Sequence, residues 1–339
     1  MIPGAPEEAR WVRAEARSAP SAAALERLVR TAFPRSHVTA IEPLASGFRN
    51  ANFKVQLDSN DEWIVLRVYE HDPSLCQKEV DLIRLVAGSV PVADVIHAEP
   101  AGLDESPPFA LIRHVEGITF HELNRRGDRG AIAQAACSAG ETLATIGRFT
   151  FAKSGWLAPG PTVAAPLLEG ADPTPRFVDR CLESANLKLR MAAELRDRTH
   201  ALVWSSAAML GELDRQACLV HGDFGKRNLL VREKNGRWPV VAVLDWEFAI
   251  SGSPLADLGH FLRYENSVHS VAEPHFSKGY LDAGGAVPPE WRRRARLVDM
   301  TALCESLTHD QLPDKVVAGC WNWFGPPSRV AIRCSRDFA

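Results

Sequence analysis

Apolar and polar residues alternate along the first third of the chain, in Val38-Thr39-Ala40-Ile41, Phe53-Lys54-Val55-Gln56-Leu57 and Trp63-Ile64-Val65-Leu66-Arg67-Val68-Tyr69. A period of two is the signature of a half-buried β-strand, and Asp58-Ser59-Asn60-Asp61 supplies turn chemistry between the last two. Two further strands are expected near Asp94 to His97 and Phe109 to Val115. Helical spacing appears twice in the same region. Leu25, Leu28, Val29 and Phe33 share one face from Ser21 to Phe33, where Pro34 ends the run. Val80, Ile83, Leu85 and Val86 do the same from Lys78 to Ala87, with Gly88 as the stop. Beyond residue 118 the pattern is mostly helical, interrupted by short strands around Leu229 to Val231 and Val241 to Leu244. The reading is a small sheet-rich half over residues 19–115, a larger helical half over 116–339, a frayed terminus over 1–18 and a seam near 113–118. Lys153 to Pro175, rich in Pro and Gly, reads as a long loop.

Composition narrows the class. With 339 residues, 46% apolar and 24% charged, the chain has the profile of a globular protein of one large or two coupled domains. A net charge of −3 gives no reason to expect a nucleic-acid or membrane partner, and Arg292-Arg293-Arg294 with Arg296 reads as a solvated helix face. Seven scattered cysteines, none spaced as CxxC, argue against a disulfide framework or a zinc site. The amino terminus lacks the apolar core of a signal peptide, and no apolar run reaches the ~20 residues that span a bilayer. A cytoplasmic protein is the expectation.

The chemistry concentrates in His221-Gly222-Asp223-Phe224-Gly225-Lys226-Arg227-Asn228 and in Val241-Ala242-Val243-Leu244-Asp245-Trp246-Glu247. An aspartate, an asparagine five residues on and a second aspartate at a strand end are the parts of a phosphoryl-transfer site. Asp223 would accept the proton of an attacking hydroxyl, while Asn228 and Asp245 would hold the magnesium that neutralises a triphosphate. Leu229-Leu230-Val231 leaves as a strand, Asn235-Gly236 turns it, and an antiparallel return would set Asp245 beside Asn228. Downstream, Gly252-Ser253-Pro254-Leu255-Ala256-Asp257 opens a helix. Asp257 there is open to two roles: it accepts amide hydrogen bonds from the catalytic loop, or it answers the helix dipole as an ordinary first-turn aspartate.

Together, His221 to Asn228, the Leu244-Asp245-Trp246-Glu247 strand end and Gly-Ser-Pro-Leu-Ala-Asp resemble the aminoglycoside phosphotransferase family, small-molecule kinases related to choline kinases and more distantly to protein kinases. The resemblance spans roughly residues 38 to 285 and is sharpest at 219–260. It implies an α+β, protein kinase-like bilobal fold, with a small antiparallel-sheet N-lobe and a larger, mainly helical C-lobe. ATP or GTP with Mg2+ would lie between the lobes. By the same resemblance Asp223 is the catalytic base, His221 supports its loop, Asn228 and Asp245 are metal ligands, and Glu247 meets a second metal or the acceptor. Ser46 and Gly47 would sit in a phosphate-covering loop, and Arg67 would replace the strand lysine that grips phosphates, paired with Glu79. Ile112 would line the adenine pocket, with the backbone of His114 and Val115 as the hinge. Asp245-Trp246-Glu247 in place of Asp-Phe-Gly, with no space for an activation loop, argues against a peptide substrate. The remaining histidines, His260 among them, show no metal-ligand spacing and read as core or surface.

The acceptor is a small hydroxylated molecule on this reading, and aminoglycosides are the first class to weigh. Polycationic antibiotics need an acidic pocket, yet residues 150–215 carry eight acidic and eight basic side chains, and 266–339 carry eight and nine. Glu169, Asp172, Asp179, Asp282 and Glu290 are the carboxylates whose convergence would restore such a pocket. A choline-, sugar- or homoserine-like alcohol is the alternative acceptor, and a nucleotide-binding pseudokinase the rival from another class.

Overall fold

The computed structural model describes residues 21–44, 50–58, 60–265 and 271–310, with residues 312, 317 and 320. Ser46 and Gly47 of the expected phosphate-covering loop lie outside the described residues. The chain opens with α1 (Ala22–Arg30), whose first turn is capped by the Ser21 hydroxyl accepting from the Ala24 amide at 3.2 Å. Five strands and one helix follow: β1 (Val38–Pro43), β2 (Ala51–Leu57), β3 (Asn60–Val68), α2 (Leu75–Val86), β4 (Val95–Glu99) and β5 (Phe109–Arg113). The strands form one antiparallel sheet in the order β1-β2-β3-β5-β4.

Alternation decides which side of this sheet does what. Phe53, Val55 and Leu57 of β2 join Ile64, Leu66 and Val68 of β3 and Leu25, Leu28 and Val29 of α1 in one apolar cluster. Arg67, between Leu66 and Val68, therefore points to the other face, where Tyr69, Cys76 and Val80 pack with Ala110. That face carries α2 and looks toward the rest of the molecule. α2 begins three residues before its expected start, because Asp72 Oδ1 accepts from the Ser74 amide and hydroxyl and turns the chain into it.

After residues 114–117 the chain enters its helical part. It runs β6 (Ile118–Thr119), α3 (Phe120–Arg126), α4 (Arg129–Ile146), β7 (Gly155–Ala158) and β8 (Thr162–Ala165). Next come α5 (Pro173–Glu183), α6 (Ala185–Arg190), α7 (Ala193–Ser205) and α8 (Ala207–Leu213). The stretch from His221 to Asp245 lies among β9 (Cys218–Val220), β10 (Leu229–Val231), β11 (Val240–Val243) and β12 (Ile250–Gly252), and α9 (Leu255–Leu262), α10 (Ala272–Asp282) and α11 (Trp291–Ser306) follow. The loop expected over Lys153 to Pro175 is corrected: it holds the β7–β8 hairpin and the start of α5. β7 is fixed by pairing with β12, Trp156 opposite Ile250, and so distant a partner leaves little local trace behind the Pro and Gly of this stretch.

One large apolar cluster unites α4, α9 and α10 with strands β9, β10 and β11. α4 and α10 cross closely because glycines meet there: a Cβ on Gly140 would lie 2.1 Å from the Phe276 carbonyl oxygen, and one on Gly279 2.1 Å from that of Cys137. A second cluster joins α5, α7, α8 and α11 through Phe177, Val203, Leu210, Leu297 and Leu303. Among the described residues, no helix is long and apolar enough to cross a membrane.

Candidate active site

The segment from His221 to Asn228 leaves β9 and returns as β10. Its turn is forced at Gly222, which has φ +81° and would place a Cβ 2.3 Å from the Phe248 carbonyl oxygen. Two anchors hold it. Asp257, buried in the first turn of α9, accepts from the backbone amides of His221 at 2.7 Å and Gly222 at 2.9 Å. His221, fully buried against Trp246, has Nε2 2.9 Å from the Leu244 carbonyl and Nδ1 3.2 Å from the Asp223 amide. A carbonyl can only accept and an amide N–H only donate, so the proton sits on Nε2. Burial lowers this imidazole to about 4 and keeps it neutral.

Asp223 is thereby presented from a fixed loop. The Asn228 side-chain amide donates to its Oδ2 at 2.8 Å and to its backbone carbonyl at 3.0 Å. His260 Nε2, from α9, lies 3.2 Å from its Oδ1. Burial pushes the Asp223 carboxyl up to about 7; the Asn228 amide opposes this shift and the charge of Asp245 adds to it. A carboxylate with that affinity for a proton suits a general base near neutral pH.

Asp245 arrives by strand pairing. Leu229 faces Val243 across β10–β11, and the Leu244 amide donates to the Asn228 carbonyl at 2.8 Å, so Asp245 emerges next to Asn228. Its backbone is left-handed at φ +60°, an uncommon state for a residue with a side chain and one met at sites that aim a functional group. Trp246, Glu247 and Phe248 continue as a 3-10 turn.

The two halves of the molecule meet here through charge. Arg67 reaches Glu79 Oε2 through Nε at 3.0 Å and Asp245 Oδ1 through Nη1 at 2.5 Å. Burial alone would lower this guanidinium's pKa, but Glu79 and Asp245 more than offset it, and the net direction is upward. Glu79 also accepts from the Tyr69 hydroxyl at 2.6 Å and from the Trp246 amide at 3.1 Å. Glu247 is buried, accepts from the Asn50 side chain at 3.1 Å, and takes Lys78 Nζ on its carbonyl at 2.8 Å. Burial lowers the Lys78 ammonium to about 8.

Other expected site residues fare differently. Ile112 lies half-buried on β5, facing β3 and β4. The His114 amide donates to the Trp63 carbonyl of β3 at 3.1 Å. Three of the carboxylates weighed for an acidic pocket, Asp179, Asp282 and Glu290, have partners of their own. Asp179 binds His200 and the Trp204 indole, Asp282 pairs with Lys278, and Glu290 pairs with Arg293.

Sequence reasoning missed three contributors. His260 reads as core or surface in the sequence because its neighbour in the fold, Asp223, is thirty-seven residues away and the histidines show no metal-ligand spacing. Lys78 and Asn50 flank expected site residues, and their adjacency to Glu79 and to the loop before β2 was the available signal.

Among the described residues no three His, Cys, Asp or Glu side chains gather into a metal cage. The oxygen donors of Asn228 and Asp245 nevertheless suit a hard cation such as Mg2+, which keeps several waters and takes its remaining oxygens from substrate phosphates.

A family model described as "Phosphotransferase enzyme family" matches residues 40–297. Curated relatives with significant similarity are called acyl-CoA dehydrogenase family member 11: the Rattus norvegicus protein is 49% identical over 51 residues, covering 15% of this chain and 6% of the relative. The Homo sapiens protein is 30% identical over 115 residues, covering 34% and 13%. The chain thus spans only a small fraction of these relatives' length. Among solved structures, aminoglycoside phosphotransferase APH(4)-Ia superposes with a TM-score of 0.61 at 18% identity, covering 88% of this chain and 97% of that one. The GDP complex of wild-type aminoglycoside 2'-phosphotransferase-IIIa gives 0.65 at 19% identity, covering 88% and 95%. At such identities the likeness speaks for the fold, which is α+β and kinase-like.

Proposed function

The chain belongs to the phosphotransferase enzyme family, and from that premise we propose that it transfers the γ-phosphate of ATP, or of GTP, to a hydroxyl of a small molecule with Mg2+ present. The observation that carries this reading is the meeting of Asp223 and Asn228, joined at 2.8 Å, with Asp245 at the adjoining strand end. Solved relatives in complex with GDP, with GDP and kanamycin, and with AMP-PNP and hygromycin B support a nucleotide and a hydroxylated acceptor as the two substrates.

On this reading Asp223 accepts the acceptor's proton as its oxygen attacks. Asn228 fixes the rotamer of that base, and His221 and Asp257 fix the loop beneath it. Asn228 and Asp245 are the residues that would hold Mg2+, which when bound draws charge from the transferring group. Arg67, committed to Glu79 and Asp245, orients the metal carboxylate and supplies positive charge where the nucleotide phosphates would lie. Ser46 and Gly47 would cover those phosphates, Ile112 would line the base pocket, and the Val115 backbone would meet adenine. Glu247 would act through Asn50 and Lys78 as a brace between the halves.

The test is a coupled assay of ADP production across a panel of antibiotics and primary alcohols. Acceptor-dependent ADP release that vanishes on chelation of Mg2+ is expected. Nucleotide binding with no transfer to any alcohol would turn the reading toward a regulatory nucleotide-binding protein.

A further inference from the structure

Beside the catalytic loop lies a cleft of about 340 Å3 whose lining includes Gly222, Phe248 and His260. Because His260 also touches Asp223, this end of the cleft adjoins the base. The walls are supplied by Trp156 of β7, Phe177 of α5, Leu210 of α8, Ile250 of β12 and Val298 of α11. Among the described residues, no lysine or arginine lines it.

Three carboxylates among the described lining residues, Asp214, Asp299 and Glu305, decide what charge it tolerates. Asp299 is gripped by Arg263 through Nε and Nη2, at 3.0 to 3.1 Å and 2.7 Å. Asp214 Oδ1 accepts from the Thr174 hydroxyl at 2.7 Å, and burial pushes its carboxyl upward. Burial likewise pushes Glu305 up to about 7. Asp299 thus meets its counter-charge within the protein, and burial penalises the charged forms of Asp214 and Glu305, so the cleft offers little to compensate several ammonium groups for leaving water. The apolar walls instead favour a ligand that sheds hydrocarbon surface into them and brings few polar groups.

Resting on the phosphotransferase reading above, we propose that this cleft takes the acceptor, and that the acceptor is an uncharged, predominantly apolar alcohol whose hydroxyl lies at the His260 end. In the transfer the alcohol O–H bond breaks and its proton passes to the Asp223 carboxylate. A bond forms from that oxygen to the γ-phosphorus, and the bond from the γ-phosphorus to the bridging oxygen breaks, releasing ADP.

Fluorescence titration of the full chain with 2-(2-naphthyl)ethanol, a neutral aromatic alcohol, tests the chemical class directly, with kanamycin as competitor. Ala302→Trp, on the exposed side of α11, should fill the far end and weaken naphthylethanol binding by at least about tenfold. Glu305→Gln, which removes a charge and little volume, should leave it within about twofold. Kanamycin should fail to displace the probe at a large excess. Displacement by kanamycin, a large loss of probe affinity in Glu305→Gln, unchanged probe binding in Ala302→Trp, or no probe binding to the wild-type chain would each overturn the assignment. Phosphate transfer from Mg-ATP is followed in parallel to separate the two readings. Probe binding in the cleft with no transfer to any alcohol or antibiotic of the panel keeps the apolar class and sinks the phosphotransferase reading. Transfer to kanamycin but not to the alcohol does the reverse.

Discussion

His260 Nε2 lies 3.2 Å from Asp223 Oδ1, and the imidazole's other nitrogen, Nδ1, is 3.3 Å from an Arg263 amino group. A guanidinium can only donate, so Nδ1 accepts and, in a neutral ring, Nε2 carries the hydrogen toward Asp223. The ring is neutral because burial, with Arg263 adding to it, holds its pKa well below the usual value. Asp299 anchors Arg263 in turn. One side of Asp223 thus lies against His260, whose ring is held through Arg263 by Asp299 of α11, and the other takes a hydrogen bond from Asn228.

Replacing His260 by alanine is expected to lower kcat by about tenfold or more while leaving the KM for nucleotide near its wild-type value. His260→Gln, whose amide N–H can stand in for the Nε2 proton, should recover part of the loss. Loss of a donor to the carboxylate also raises the Asp223 pKa, so the acidic limb of the pH–rate profile should move upward in His260→Ala. Steady-state kinetics across pH measures all three effects, and a collapse of nucleotide binding instead would mark a merely structural role.

Activity should rise with pH through about 7, the position to which burial pushes the Asp223 carboxyl. The sign follows from the role: the protonated acid cannot accept the hydroxyl proton, so turnover falls as pH drops below that value. Asp223→Asn should remove the limb and reduce kcat by a factor on the order of a hundred to ten thousand. A nucleotide titration by calorimetry should show binding largely retained.

Arg67 is 7% exposed and holds two carboxylates of opposite halves, Glu79 and Asp245. Arg67→Ala leaves Glu79 buried with its cation gone, and breaking a buried pair by removing one partner costs roughly 3–5 kcal/mol. A clear drop in the urea midpoint is expected. Arg67→Lys keeps the charge but cannot span both acids with a planar fork, so it should fall between wild type and alanine.

Asp257→Ala strands the buried His221 amide and the partly buried Gly222 amide, each now short of its acceptor. At roughly 1–3 kcal/mol per unsatisfied group, a loss of several kcal/mol in chemical denaturation is expected. Because the same amides fix the catalytic loop, kcat should fall more than the stability of the remaining folded protein explains.

The strand alternation of residues 53–57 and 63–69, the helical face of Leu25, Leu28 and Val29, and the Asp223–Asn228 spacing were legible in the chain, because each is a local relation between near neighbours. The same local reading placed Asp257 early in a helix but left its role open. Only folding chose between amide acceptor and dipole partner, since that depends on β9 ending against α9. The β7–β8 hairpin escaped notice because its register is set by β12, almost a hundred residues on. His260 escaped for a similar reason: a lone histidine acquires meaning from what folding sets opposite its nitrogens. The character of the cleft beside Asp223 lay furthest out of reach. Counting charges over residues 150–215 and 266–339 weighed exposed and buried carboxylates alike, whereas burial and pairing in three dimensions decide which of them can meet a ligand as anions.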